Sequence, residues 1–195
     1  FSDSSGYIFD EQGVDRQKLD FIMQLKNVRR GRVEAYTEKY PSAVYTPVDP
    51  DSEKNPLWEH QAKCAFPSAT QNEITEKDAY SLINGGVELV SEGANMPCTP
   101  EAVDLFLEKG FLYGPGKAAN AGGVSVSGLE MTQNSMRLSW TREEVDNRLQ
   151  MIMKSIHQTC LAAAEQYGTP GNYLNGANIA GFVKVVEAML DQGVV

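Results

Sequence analysis

The residues best suited to chemistry lie in Gly114-Pro-Gly-Lys-Ala-Ala-Asn-Ala-Gly-Gly-Val-Ser-Val-Ser-Gly-Leu-Glu130, directly after the apolar run Phe111-Leu112-Tyr113. Glycines allow positive φ and a close ligand approach. Ala118, Ala119, Ala121, Gly122, Gly123, Ser125 and Gly128 present little bulk to keep a planar molecule away. Asn120 and Ser127 add neutral hydrogen-bonding groups. Two readings are open here: a strand-to-helix turn with a small-residue packing face, or a ligand site. A second cluster, Lys26, Arg29, Arg30 and Arg32, concentrates cations shortly after the first strand. It could complement a helix dipole. In a dinucleotide fold it could instead accommodate a ribose 2′-phosphate.

Other chemistries have less support. The two histidines, His60 and His157, and the three cysteines, Cys64, Cys98 and Cys160, lack metal-ligand spacing or a CxxC pair. A metal site or disulfide framework is therefore not expected, and a reducing cytoplasm is the simplest setting. A formal net charge of -9 disfavours nucleic acid and acidic membrane surfaces. No apolar run has the length of a bilayer span, and no signal-peptide pattern is present. At 195 residues with 42% hydrophobic content, the chain can bury a real core.

These residues need a scaffold. Tyr7-Ile-Phe9 between Gly6 and Gly13 suggests a strand end and a hairpin or loop, and Asp15 suits the N-cap of a helix reaching about Asn27. A helical piece from Val33 to Tyr40 stops at Pro41, and Pro47, Pro50 and Pro56 mark a loop around the short strand Val44–Thr46. Cys64-Ala-Phe66 reads as a buried strand. Thr75 to Asp78 opens a helix that Gly85-Gly86 closes, and Val87–Val90 is a strand. Thr99-Pro100 starts the next helix, Gly110 ends it, and Phe111–Tyr113 is a further strand. This alternation predicts an α/β fold that is Rossmann-like, with a mostly parallel sheet flanked by helices. Thr141 to Glu144 caps a long helix striped by Val145, Leu149, Ile152, Ile156, Cys160 and Ala163, and Ile179, Phe182, Val186 and Met189 stripe the last one. Both stripes read as core or domain-packing faces.

In such sheets ligands bind beyond the carboxyl ends of the strands. Four segments are expected there: Ser2–Ser5, Pro67–Asn72, Glu92–Asn95 and the Gly114–Glu130 stretch. None pairs a nucleophile with a base, which suits holding a cofactor better than covalent chemistry. No GxGxxG follows a strand, so the first strand-turn-helix is expected to be missing, and the opening at Phe1 reads as a cut within a fold.

PSATQNE (Pro67–Glu73), EGANMP (Glu92–Pro97), GPGKAANAGGVSVSGLEM (Gly114–Met131) and GANIAGFVKV (Gly176–Val185) resemble the glutamate dehydrogenases, most closely the NADP-using, hexameric, bacterial-type branch. The resemblance runs through essentially the whole chain. It implies oxidative deamination of L-glutamate to 2-oxoglutarate and ammonia, with NADP as coenzyme and NAD possible, in a cytoplasmic homo-hexamer. It places Asp3 and Ser4 by the adenosine ribose, with Lys26 and Arg29 near its 2′-phosphate. Ala69 and Thr70 would flank the nicotinamide-side ribose, and Asn95 and Asn120 would bond the nicotinamide half. Ser127 would bind the distal carboxylate of the substrate, with Val124 lining that pocket. Lys117 matches the coenzyme-side lysine of its motif. The family's catalytic lysine and aspartate lie in its other domain and match nothing here, so no catalytic residue is expected. The implied organisation is a truncated dinucleotide-binding domain at 1–130 and C-terminal helices at 131–195, inactive alone. A related amino-acid dehydrogenase and a non-catalytic dinucleotide-binding module are the alternatives.

Overall fold

The computed structural model describes residues 1–49 and 51–193; Pro50, one of the loop prolines, and residues 194 and 195 lie outside the described residues. The chain separates into two compact units, Phe1–Glu59 and His60–Val195. That division precedes residue 130, which lies within a continuous helix (Ala121–Met136).

In the first unit, the Asp3 carboxylate starts the fold. Its Oδ1 accepts from the Ser5 amide (2.9 Å) and hydroxyl (2.6 Å), a local Asx turn. This turn reverses the chain, so β1 (Ser2–Asp3) pairs antiparallel with β2 (Gly6–Phe9), and β3 (Val44–Pro47) adds antiparallel to β2. The parallel pairing expected of the sheet therefore does not extend to this unit; a four-residue reversal can only give antiparallel neighbours. Gly6 is required in β2, because a Cβ there would sit 2.3 Å from the Thr46 carbonyl oxygen. Asp15 accepts from Lys18 N at 2.8 Å and caps α1 (Arg16–Met23), which runs on through a π-helical turn, Gln24–Val28. A 3₁₀ turn (Val33–Ala35) and α2 (Tyr36–Lys39) follow. Ile8, Ile22, Val33, Tyr36 and Ala43 form the core, with Phe21, Tyr40 and Tyr45 packed on it.

The same unit encloses a charge pair. Asp10 Oδ2 accepts from Lys18 Nζ (2.8 Å) and the Tyr36 hydroxyl (2.8 Å), and Oδ1 accepts from Gln12 N (3.1 Å). The Lys18 hydrogen bond holds the Asp10 carboxyl below its ordinary range, outweighing the opposite effect of burial. A depressed folded-state pKa contributes stability above the unfolded value, about 4, that is lost as pH falls through the folded one. The melting temperature is therefore expected to fall on acidification below about pH 4, and Asp10→Asn should flatten that fall. An unchanged slope in the variant would remove Asp10 from the acid response.

In the second unit, β4 (Cys64–Ala65), β5 (Leu89–Ser91) and β6 (Leu112–Gly114) pair in parallel in that order. The crossovers carry α3 (Glu76–Asn84) and α4 (Pro100–Glu108). Thr75 and Asp78 form the capping box of α3, and Thr99 caps α4 with Pro100 in its first turn. β5 and β6 begin one or two residues later than the apolar runs predicted, because the ladder is set by the register Leu89↔Leu112. Val87 is buried just ahead of β5. The expected buried strand at 64–66 needs correction: only Ala65 is buried, while Cys64 is exposed and Phe66 is 62% exposed. β4 is an edge strand with one packed face.

α5 (Gly116–Ala119) and α6 (Ala121–Met136) follow β6, then α7 (Arg142–Gln166) and α8 (Tyr173–Gln192). Thr141 and Glu144 form the expected capping box of α7. Cys160, Ala163 and Ala164 of α7 are buried, as is Gly176 of α8. Phe182 and Met189, read as part of a packing stripe, are 67% and 63% exposed. No helix among the described residues is long and apolar enough to cross a membrane.

Candidate functional site

Each unit carries part of the residue set singled out in the sequence. In the first, the β1–β2 turn and the turn after α1 come together. Lys26 Nζ donates to Asp3 Oδ2 (2.6 Å) and to the Gly31 carbonyl (2.9 Å), while Val33 N donates to the same Asp3 oxygen (2.9 Å). Burial raises the Asp3 pKa, but the bonds from Lys26, Ser5 and Val33 outweigh it and hold the carboxyl well below the usual range. Arg32 donates to Ser4 Oγ at 2.6 Å. Arg29 is exposed at the end of the π-helical turn, and Arg30 follows with φ 56°. Lys26 thus uses two of its donors inside the unit, whereas Arg29 projects a cation into solvent. In the sequence Arg32 is one cation of the basic cluster; its partner Ser4 lies 28 residues away and is brought to it by the fold.

In the second unit, the loops that follow β4, β5 and β6 meet at the carboxyl ends of the strands. The Pro67 carbonyl accepts from Gly93 N (2.8 Å) and Ala94 N (3.1 Å), which ties the first loop to the second. Gly93 lets the two loops approach closely: a Cβ there would lie 2.3 Å from Ser68 Oγ and 3.1 Å from Ser68 Cβ, so the serine would have to turn aside. Ala69 and Thr70 are exposed, and Ala69 N donates to Glu73 Oε1 at 2.8 Å. Burial pushes the Glu73 carboxyl up, against the lowering effect of the Ala69 and Thr70 amides. Asn120, at the end of α5, donates from Nδ2 to the Ala94 carbonyl (3.0 Å) and to Asn95 Oδ1 (2.7 Å). The two asparagines separated by 25 residues are thereby in direct contact.

Beneath them sits Glu92, 4% exposed. It accepts from Cys98 N (3.3 Å), the Tyr113 hydroxyl (2.7 Å) and Gly116 N (2.6 Å). Burial, reinforced by Glu92, raises both the Tyr113 phenol and the Cys98 thiol. Neither is a nucleophile in this setting. In the sequence Glu92 has no role beyond opening a loop expected at a strand end, its one signal being an acid directly after a strand in an otherwise neutral loop. A cleft of about 510 Å³ opens here, lined by Glu92, Asn95, Tyr113, Gly116, Lys117 and Asn178 among others. Lys117 Nζ donates to Asn178 Oδ1 at 2.5 Å.

Val124 and Ser127 lie three residues apart on α6 and so share a face. Val124 is 73% exposed, and Ser127 is exposed with its hydroxyl donating to the Gly123 carbonyl (3.3 Å). Of the four segments expected at the ends of one sheet, three are at the ends of the parallel strands. Ser2–Ser5 belongs to the antiparallel sheet of the first unit.

Helix-covered parallel strands with polar, glycine-bearing loops at their carboxyl ends define an α/β scaffold of the class whose ligand crevice lies beyond those ends. More narrowly, the chain belongs to the Glutamate/Leucine/Phenylalanine/Valine dehydrogenase family, whose sequence profile matches residues 1–193. It is 54% identical over 198 residues to a glutamate dehydrogenase of Bacteroides thetaiotaomicron, covering 100% of this chain and 42% of that protein. It is 52% identical over 195 residues to an NADP-specific glutamate dehydrogenase of Giardia intestinalis, covering 100% of this chain and 43% of that one. Among solved structures, Plasmodium falciparum glutamate dehydrogenase superposes with a TM-score of 0.91 at 42% identity, over 100% of this chain and 40% of its own. The chain thus spans about two-fifths of the length of these relatives.

Proposed function

We propose that this chain is the coenzyme-side part of an NADP-dependent glutamate dehydrogenase, which interconverts L-glutamate with 2-oxoglutarate and ammonia. The observation that carries the reading is the Asn95–Asn120 pair, held at 2.7 Å over the carboxyl ends of parallel strands beside glycine-bearing loops. Two primary amides in contact offer further donors and acceptors to a carboxamide or ribose, and small residues leave room for a planar ring. Each unit offers residues that would suit a part of NADP. Ala69, Thr70, Asn95 and Asn120 would hold its nicotinamide half. Asp3 and Ser4 would face the adenosine ribose, with the cation of Arg29 on the 2′-phosphate and Lys26 orienting Asp3. The bound coenzyme supplies the hydride acceptor; this chain binds and orients it.

Ser127 and Val124, on one face of α6, would contribute to the glutamate pocket. No catalytic role is assigned to any residue here, and the proton-transfer groups are assigned to another part of a longer, hexameric, cytoplasmic enzyme. In that reading residues 1–130 serve the coenzyme, and the helices of 131–195 face the rest of the protein. NAD is a second possible coenzyme; Asp3 already accepts from Ser5, Lys26 and Val33, so a ribose 2′-hydroxyl would have to replace or share one of those bonds.

The test is coenzyme binding. Arg29→Ala is expected to weaken NADPH binding roughly tenfold, the scale of one charge-assisted contact, while NADH binding changes by less than about twofold. Fluorescence titration of both nucleotides measures this. Equal losses for NADPH and NADH would end the phosphate assignment, and failure of NADPH to bind the unsubstituted protein would end the coenzyme reading.

A further inference from the structure

The loop that bears Asn95 is not held by its own sequence. Residues 92–98 carry no helix or strand hydrogen bonding of their own beyond the isolated bridge of Ile74 with Cys98. Its two ends are instead joined through one side chain: Glu92 stands at the start, and its Oε1 accepts from Cys98 N at the finish (3.3 Å). The same oxygen accepts from the Tyr113 hydroxyl of β6 (2.7 Å), and Oε2 accepts from Gly116 N, the first residue of α5 (2.6 Å). The Glu92 amide in turn donates to the Gly114 carbonyl (3.0 Å). Backbone bonds hold the loop to the segment after β4 (Gly93 N and Ala94 N to the Pro67 carbonyl, Asn72 N to the Met96 carbonyl), and this one buried carboxylate ties it to the segment that leads, four residues after Gly116, to Asn120.

The spacing around it is narrow. A Cβ on Gly116 would lie 2.8 Å from the Ala94 carbonyl oxygen, 3.3 Å from Glu92 Oε2 and 3.4 Å from Asn120 Nδ2. No side chain larger than that of Gly116 therefore fits between Ala94, Glu92 and the Asn120 amide. No salt bridge reaches Glu92 among the described residues, and hydrogen bonds alone offset its burial. Such a group is costly to keep and costly to disturb, which suits a fixed point in a binding site.

We propose that Glu92 is the positioning residue of the nicotinamide half-site: it touches no coenzyme and sets the separation and orientation of the Asn95–Asn120 pair. This rests on the coenzyme reading above. Glu92→Gln keeps the volume and one acceptor, but turns a donor toward Gly116 N or toward the Tyr113 and Cys98 pair. It leaves one buried amide unmet, a loss worth about tenfold in affinity.

Titrate the protein and its E92Q variant with NADPH and with 2′,5′-ADP, the adenosine end alone, and record the side-chain amide resonances of Asn95 and Asn120 without ligand. E92Q is expected to weaken NADPH about tenfold, leave 2′,5′-ADP within about twofold, and move both asparagine resonances. A folded E92Q with unchanged NADPH affinity and unchanged resonances overturns the proposal. If the unsubstituted protein binds NADPH no better than 2′,5′-ADP, the nicotinamide assignment fails, and the resonances alone then judge whether Glu92 orders the pair. Should E92Q not fold, Tyr113→Phe, which removes one of the three donors, must give the same pattern with a smaller loss; no change there overturns the proposal.

Discussion

Gly176→Ala is expected to destabilise the second unit by about 3 kcal/mol, the upper range for overpacking, and to lower its melting temperature by roughly 6–12 °C. At this crossing of α7 and α8, a Cβ on Gly176 would lie 2.0 Å from the Cys160 carbonyl oxygen, 2.9 Å from its carbon and 3.1 Å from Ala164 Cβ. Two of those three atoms are helix backbone, which cannot rotate aside as a side chain would. α8 must therefore move off α7, losing the packing of Cys160, Ala163 and Ala164, all of them buried. Gly181 supplies the control. It lies five residues further along α8, and nothing stands within 4 Å of its added Cβ. Gly181→Ala should be neutral or stabilising by about 0.5–1 kcal/mol through helix propensity. Thermal melts of the two variants compare directly; equal effects would show that the crossing tolerates a methyl group.

The second large effect lies in the first unit. Asp10→Ala is expected to cost about 3–5 kcal/mol, because it leaves Lys18 buried without its anion. Lys18 is 8% exposed, its Nζ bonded to Asp10 and to the Gly13 carbonyl (2.8 Å). The Gly13 carbonyl and the Tyr40 ring, its centroid 5.7 Å from Nζ, would remain, but neither is an anion. The Tyr36 hydroxyl, in the core of the unit, would lose its acceptor as well. By contrast, the Arg16–Asp20 pair is exposed on both sides, and Asp20→Ala should change stability by less than about 1 kcal/mol. Lys18→Met combined with Asp10→Ala should recover part of the loss, since it removes the stranded charge. Urea melts of the single and double variants measure the coupling; additivity would mean that the pair is not a unit.

Much of the local structure was legible because it is encoded over a few residues. Asp15, Thr75, Thr99 and Thr141 cap the helices that their spacing predicts, since a cap needs only a side chain and an amide two or three positions away. The parallel strands were found as short apolar runs, with ends displaced by a residue or two because register depends on the neighbouring strand. The antiparallel pairing of β1–β3 was not legible, and neither was the exposure of Phe66. Both depend on where each strand sits in its sheet.

The Gly114–Glu130 stretch was open between a packing turn and a ligand site. Gly116 packs against Ala94 and Glu92, while Asn120 reaches the Asn95 loop. The family was readable from sequence because motifs such as GPGKAANAGG and EGANMP are contiguous. Which residues stand free and which are engaged was not. Lys26, Arg29 and Arg32 look alike as letters, yet Lys26 bonds Asp3, Arg32 bonds Ser4 and Arg29 is exposed. Glu92 is one acid in a polar loop until strands 20 residues apart in sequence lie side by side and bring Tyr113 and Gly116 to it. Sequence alone determined the residue types, the local elements and the family. The tertiary structure decided the partners, because hydrogen bonds across loops depend on distances that only the assembled sheet sets.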